Sequence, residues 1–205
     1  MIRIWGRRNS SNVAKVLWAT AELGVAVERI DVGGPFGGTG DPAYRALNPV
    51  GQIPTLAHDG FILWESNAIV RYLASSFGAG SLLPDGERSR AVADQWMDYA
   101  STSVAPAIDA LRAAYRKPEE SRDAAAIAAA LQAAANRWAA LDTVLARHPF
   151  LAGDRLTMAD IAFGALIHRW TLVPLERPAI PGVDAWHRRL AGRPAFAAHI
   201  AGTVA

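Results

Sequence analysis

The sequence predicts an α/β segment followed by an all-helical one, and three observations carry that reading. Short apolar runs alternate with helical stretches through the first eighty residues, a stretch rich in Gly, Ser and Pro follows at 78–85, and alanine-rich helix dominates from there with almost no strand signal. A run of helices after an α/β segment argues for two domains. The expected division is residues 1–77, a linker at 78–85, and residues 86–205.

Taken in order, Ile2-Arg3-Ile4-Trp5 alternates as a strand and leads through Gly6 into a polar loop ending at Asn12. Val13, Val16, Leu17, Ala21 and Leu23 fall at helical spacing, and Gly24 stops that helix. Val25 to Val32 reads as a second strand. The segment Gly33 to Gly40, with five glycines in eight positions, reads as a surface loop suited to ligand contacts. Asp41-Pro42 can open a short helix, with Asp as cap and Pro in the first turn. Pro54–Ala57 and Phe61–Trp64 flank an Asp-Gly turn as a hairpin, and a helix runs from Glu65 to about Phe77. Beyond the linker, helices are expected at 86–116, 121–147, 157–173 and 182–192, with a last short one after Pro194. Pro118, His148-Pro149 and Pro174 separate them. Within the alanine stretch, Ile127, Leu131 and Trp138 mark a buried stripe.

Composition narrows the chemistry. The 205 residues include no cysteine, which removes disulfides, thiolate metal sites, CxxC redox chemistry and a cysteine nucleophile. Basic and acidic residues number 21 and 19 and are spread evenly, seven against six in the first eighty residues, so no patch calls for nucleic acid. No apolar run approaches the roughly 20 residues that span a bilayer. The N-terminal IRIWGRRNSSN lacks the pattern of a signal peptide, and a cytoplasmic protein is expected. The five histidines form no HxxxH or HExxH pattern, so no metal is expected. Neither a GxGxxG nor a GxxxxGK[ST] loop is present, so nucleotide binding has no support.

Four short segments can carry function. In Asn48-Pro49-Val50-Gly51-Gln52-Ile53-Pro54, a proline opening a strand suits a cis bond and an edge position. A cis Ile53–Pro54 bond would leave the N–H and C=O of Ile53 free to pair with an extended ligand. Glu65-Ser66 stands at a helix start, where unpaired amides and a hydroxyl suit a carboxylate, and the Glu side chain suits an α-amino group. Ser10, Ser11 and Asn12 open the first helix, as caps or as donors to an anion. Thr157 and Asp160 have capping-box spacing and read as structural.

Taken together, these segments resemble the cytosolic glutathione transferases over the whole chain. The family's architecture is a thioredoxin-like βαβ–ββα domain, a linker and a C-terminal helical bundle domain. NPVGQIP is similar to the family's loop before its cis-proline, WESNAI to its glutamate-serine signature, and Thr157–Asp160 to its N-capping box. The resemblance implies that Glu65 and Ser66 hold the γ-glutamyl end of glutathione. It also implies that Gln52 approaches the peptide, and that Ile53, ahead of Pro54, pairs its backbone with the cysteinyl unit. Ile4-Trp5-Gly6 stands where tyrosine-type members carry their tyrosine, and cysteine-type members are excluded by composition, which leaves the serine type of the theta and phi classes. The phi-like Ser-x-Asn-Val pattern places the activating serine at Ser10, with Ser11 the alternative and Asn12 a supporting donor. Its hydroxyl, assisted by the helix N-terminus, would favour the glutathione thiolate.

Where phi-class members carry basic residues for the glycyl carboxylate, Thr39 and Gly40 stand here, so loop amides or an arginine such as Arg8 would take that end. Trp96, Tyr99 and Tyr115 are candidates for the wall of an electrophile pocket. The implied activity is conjugation of glutathione, as cosubstrate, to small hydrophobic electrophiles by a homodimer packed through the helices after Glu65 and Pro84. A non-catalytic binding protein of the same fold is the alternative, as is a glutathione-dependent peroxidase, isomerase or dehalogenase.

Overall fold

The computed structural model describes residues 1–204. Four strands, β1 (Ile2–Trp5), β2 (Val27–Ile30), β3 (Thr55–His58) and β4 (Phe61–Trp64), form one sheet in the order β2-β1-β3-β4. β1 and β2 are parallel, joined by helix α1 (Ser11–Glu22), whereas β3 runs antiparallel to both β1 and β4. Ile2 and Ile4 turn one face of β1 into the core, while Arg3 points outward and pairs with Glu28 directly opposite on β2 at 2.9 Å. The hairpin is tighter than the sequence suggests. His58 pairs with Phe61, so only Asp59 and Gly60 make the turn, both at positive φ, as a type I′ geometry requires.

Short α2 (Pro42–Leu47) precedes β3, and α3 (Ser66–Phe77) follows β4. Together with α1 and the sheet they make the thioredoxin-like domain. The helical domain comprises α4 (Gly86–Tyr99), α5 (Ala105–Tyr115), α6 (Ala124–Leu145), α7 (Met158–Leu172) and α8 (Pro181–Ala191). A short helical segment at 194–201 follows them.

The sequence predicts one helix over 86–116, but the chain divides it. Residues 100–104 form a π turn, because Pro106 has no N–H and its ring crowds the carbonyl one turn back. Two side chains bond carbonyls at that break: Ser101 Oγ donates to Met97 O at 3.1 Å, and Thr102 Oγ1 to Asp98 O at 2.9 Å. Helix α6 starts at Ala124 rather than at 121, because Asp123 caps it by accepting from the amides of Ala125 and Ala126.

The core runs without interruption from the sheet through α1 to α7. Every residue of α1 from Val13 to Thr20 is buried, and so is every residue of α7 from Met158 to Ile167. The two helices meet where Gly164 faces the ring of Trp18; a Cβ at that glycine would lie 2.3 Å from Cζ3. The capping box at the start of α7 is formed, with Asp160 accepting from Thr157 N at 2.9 Å. Asp160 also accepts from Leu151 N at 3.0 Å and from Trp186 Nε1 at 2.9 Å. Burial raises its carboxyl above the usual carboxylate range, against the lowering effect of those donors. Segment 78–85 is tied down as well, since Leu82 O accepts from Met158 N, and Arg155 bonds Ser81 O, Leu83 O and Asp85.

Candidate functional site

A cavity of about 190 Å³ opens between the two domains. From the thioredoxin-like side it is lined by Ser11, Asn12 and Lys15 of α1 and by Glu65, Ser66 and Asn67 at the start of α3. From the helical side the walls are small: Ala100 and Ser101 on the π turn, Ala105 on α5, and Ala162, Ala165 and Leu166 on α7. A narrow adjoining recess is bounded by Asn12, Gln52, Ile53, Pro54, Glu65 and Ser66, among others.

The loop before β3 is held by a polar cluster. Tyr44 on α2 donates its hydroxyl proton to Gln52 O at 2.6 Å, and Asn48 Nδ2 donates to the same carbonyl at 2.8 Å. Asn48 also reaches Thr55 Oγ1 at 3.0 Å and accepts from Val50 N. The Ile53–Pro54 peptide is cis. No hydrogen bond among the described residues engages the backbone N–H or C=O of Ile53, so both groups remain available.

Glu65 precedes α3 at a positive φ of 69° and is exposed, while Ser66, the first helical residue, is buried. That backbone places a carboxylate and a helix N-terminus side by side. Ser66 Oγ donates to Asn12 Oδ1 at 3.3 Å, which brings the α1 and α3 starts together. Ser10 is the N-cap residue of α1, and its hydroxyl makes no capping bond, so the routine structural use of a serine there is not taken up. Ser11 and Asn12 line the cavity; Ser10, 9% exposed, is not among the lining residues.

Lys15 escaped sequence analysis. It lies one turn beyond Ser11, buried at 8% exposure, and its ammonium donates to Asn67 Oδ1 at 2.7 Å. Burial lowers its pKa to about 8, which Glu65 partly opposes by favouring the charged form and Arg71 reinforces. Asn67 gives its own protons to Met97 O at 2.9 Å and Ser101 Oγ at 2.8 Å, joining α3 to the π turn. The available signal was a lysine at i+4 from Ser11 inside an otherwise apolar helical run.

Other expected residues go elsewhere. Trp96 stands edge-on to Phe163 and lines a separate cavity with Val144 and His148. The Tyr99 hydroxyl donates to Arg137 O, and Tyr115 lies under the Arg122 guanidinium. Arg8 donates to Ala198 O at 3.1 Å and lines neither the cavity nor the recess.

With this geometry, likeness to known proteins is specific. A family model described as the glutathione S-transferase N-terminal domain matches residues 1–75, and one for the C-terminal domain of the same family matches residues 93–194. The chain belongs to the glutathione S-transferase family. It is 40% identical over 198 residues to glutathione S-transferase GstB of Escherichia coli strain K12, covering 95% of each chain. It is 34% identical over 203 residues to glutathione S-transferase 3 of Zea mays, covering 95% of this chain and 91% of that one. Among solved structures, the theta-class glutathione S-transferase of the citrus canker pathogen Xanthomonas axonopodis pv. citri, crystallised with glutathione bound, superposes with a TM-score of 0.89 at 48% identity. That comparison covers 97% of this chain and 96% of the other. The mixed four-stranded sheet and the helical domain are thus the architecture of this family, and the cavity lies between the family's two domains.

Proposed function

We propose that this chain binds glutathione across the cavity and the recess and activates its thiol as a thiolate for attack on small hydrophobic electrophiles. The observation that carries the reading is the convergence of Glu65-Ser66 and the start of α1 on one cavity beside cis-Pro54. Glu65 takes the γ-glutamyl amino group, and Ser66 with the α3 N-terminus takes the carboxylate. Gln52 lies along the peptide, and the unpaired backbone of Ile53 adds the cysteinyl unit as an extra strand.

For the activating hydroxyl we retain Ser10. It stands at the positive end of α1, and no hydrogen bond among the described residues engages its hydroxyl. Ser11 is the second reading, favoured by its place in the cavity lining, and Asn12 supports either. Lowering a thiol by two pKa units takes about 2.7 kcal/mol, within reach of one or two oriented donors. The sulfur nucleophile belongs to the cosubstrate, and the protein supplies orientation and electrostatic support.

The test is a pair of variants assayed with glutathione and an aryl halide. Ser10→Ala should lower kcat/KM by about 10²-fold and move the ascending, acid-side limb of the pH profile to higher pH, the scale expected for loss of an oxyanion donor. If Ser11→Ala does this instead and Ser10→Ala does not, the second reading stands. If neither protein nor variants bind glutathione, the enzymatic reading falls. As part of the same reading, the chain works in the cytoplasm as a homodimer packed through α3 and α4, and light scattering should give about twice the 21.9 kDa of one chain. Among the described residues, no helix is long and apolar enough to cross a membrane.

A further inference from the structure

Lys15 is a cation in a place where sequence and solvent give it little support. It is buried on the floor of the cavity, among the apolar residues of α1. Its ammonium has three protons to donate and gives one, to Asn67 Oδ1. No carboxylate among the described residues lies within ion-pair distance of it. Asn67 is neutral and its amide protons are committed, so it orients the ammonium without balancing the charge. A buried charge without a counter-ion is costly, and a cavity is the place where a ligand can supply one.

The charged groups around it set what that ligand is. Glu65 enters the cavity from the β4–α3 junction. Arg71, on α3, is already paired with Asp94 and Asp98 of α4 at 2.5 Å each. The α7 wall presents Ala162, Ala165 and Leu166, none of which titrates. The cavity thus offers one anion and one cation with a serine hydroxyl beside them, the complement of an α-amino-acid zwitterion.

We propose that Lys15 binds the α-carboxylate of the γ-glutamyl residue while Glu65 binds its α-ammonium, so that the site selects a zwitterionic end. This rests on the reading that glutathione occupies the cavity, and it adds a specificity-determining residue to that site. The helix N-terminus and Ser66 supply partial charge and a hydrogen bond, whereas Lys15 supplies the full charge that discriminates a carboxylate from hydrogen.

The experiment compares two ligands by isothermal titration calorimetry at pH 7. One is S-methylglutathione. The other is the same tripeptide with 4-aminobutyrate in place of the γ-glutamyl residue, which keeps the amine and chain but lacks the α-carboxylate. The intact protein should prefer S-methylglutathione by about tenfold or more. Lys15→Gln, which keeps a donor for Asn67 but not the charge, should cut that preference about fivefold or more, leaving only the part due to Ser66 and the α3 N-terminus, with affinity for the analogue little changed. Lys15→Arg should keep most of the preference and provides the second arm should the glutamine variant fail to fold. A preference of the same size in Lys15→Gln overturns the proposal, as does an equal loss for both ligands, which marks a structural role. A protein without preference in its native form overturns it with no variant needed. Absence of binding to either ligand overturns the glutathione reading itself.

Discussion

At the scale of single residues, the site is built on groups that folding by itself would not favour. Holding Lys15 as an ammonium within the protein, with its pKa near 8 against 10.5, costs about 3 kcal/mol at neutral pH. The sign follows from the linkage. Because the folded pKa is depressed, the unfolded chain binds more protons between pH 8 and 10.5, and stability rises with pH through that window. Lys15→Met removes the penalty, so its stability relative to the parent should be most favourable below pH 8 and should fall by up to about 3 kcal/mol by pH 10.5. Urea unfolding of both proteins at pH 7 and pH 10.5 checks this, and parallel curves at the two pH values would contradict it. Glu65 shows the same logic in the backbone, since a non-glycine residue at positive φ is uncommon and tends to mark a site. Sequence alone pointed to Glu65, Ser66 and Ile53 as candidates, because each lies in a local turn or helix start whose chemistry is written in adjacent residues, whereas Gln52 came only from the family resemblance. Lys15 was not legible, because between Ala14 and Val16 it reads as one charge on an amphipathic helix.

At the scale of elements, two junctions hold the frame. Asp160 anchors the start of α7 by accepting from two backbone amides and the Trp186 indole, all within the core. Asp160→Ala would strand those donors, and a loss of about 3 kcal/mol or more is expected in urea unfolding. The α1–α7 crossing depends on Gly164. A methyl group there would overlap the Trp18 ring, and the clash outweighs the helix propensity that alanine gains, so Gly164→Ala should cost about 1–3 kcal/mol. A thermal midpoint equal to or above that of the parent would show that the two helices separate freely. The capping box was legible because its signature is four residues long. The π turn was not foreseen: the periodicity of 86–116 is continuous, and only Pro106, embedded in that run, records the interruption. That interruption matters because the turn carries Ala100 and Ser101 into the cavity.

At the scale of the whole molecule, the two domains share one core. Trp18 of α1 packs edge-on to Phe196 at 5.1 Å, and Glu22 accepts two hydrogen bonds from Arg193 at 2.7 and 2.6 Å. Equilibrium unfolding should therefore be a single transition, with indole fluorescence and far-ultraviolet circular dichroism giving coincident curves; two separated midpoints would show independent domains. Legible in local patterns were the four strands, the hairpin, the α7 cap and the glutamate-serine and proline motifs, since each rests on contacts among near neighbours in the chain. What only the tertiary structure decided was which of those groups face one another. Burial of Lys15, its link through Asn67 to the π turn, and the removal of Trp96, Tyr99 and Tyr115 from the cavity all depend on how α3, α4, α5 and α7 close around α1. Those contacts join residues tens of positions apart, and no local pattern records them.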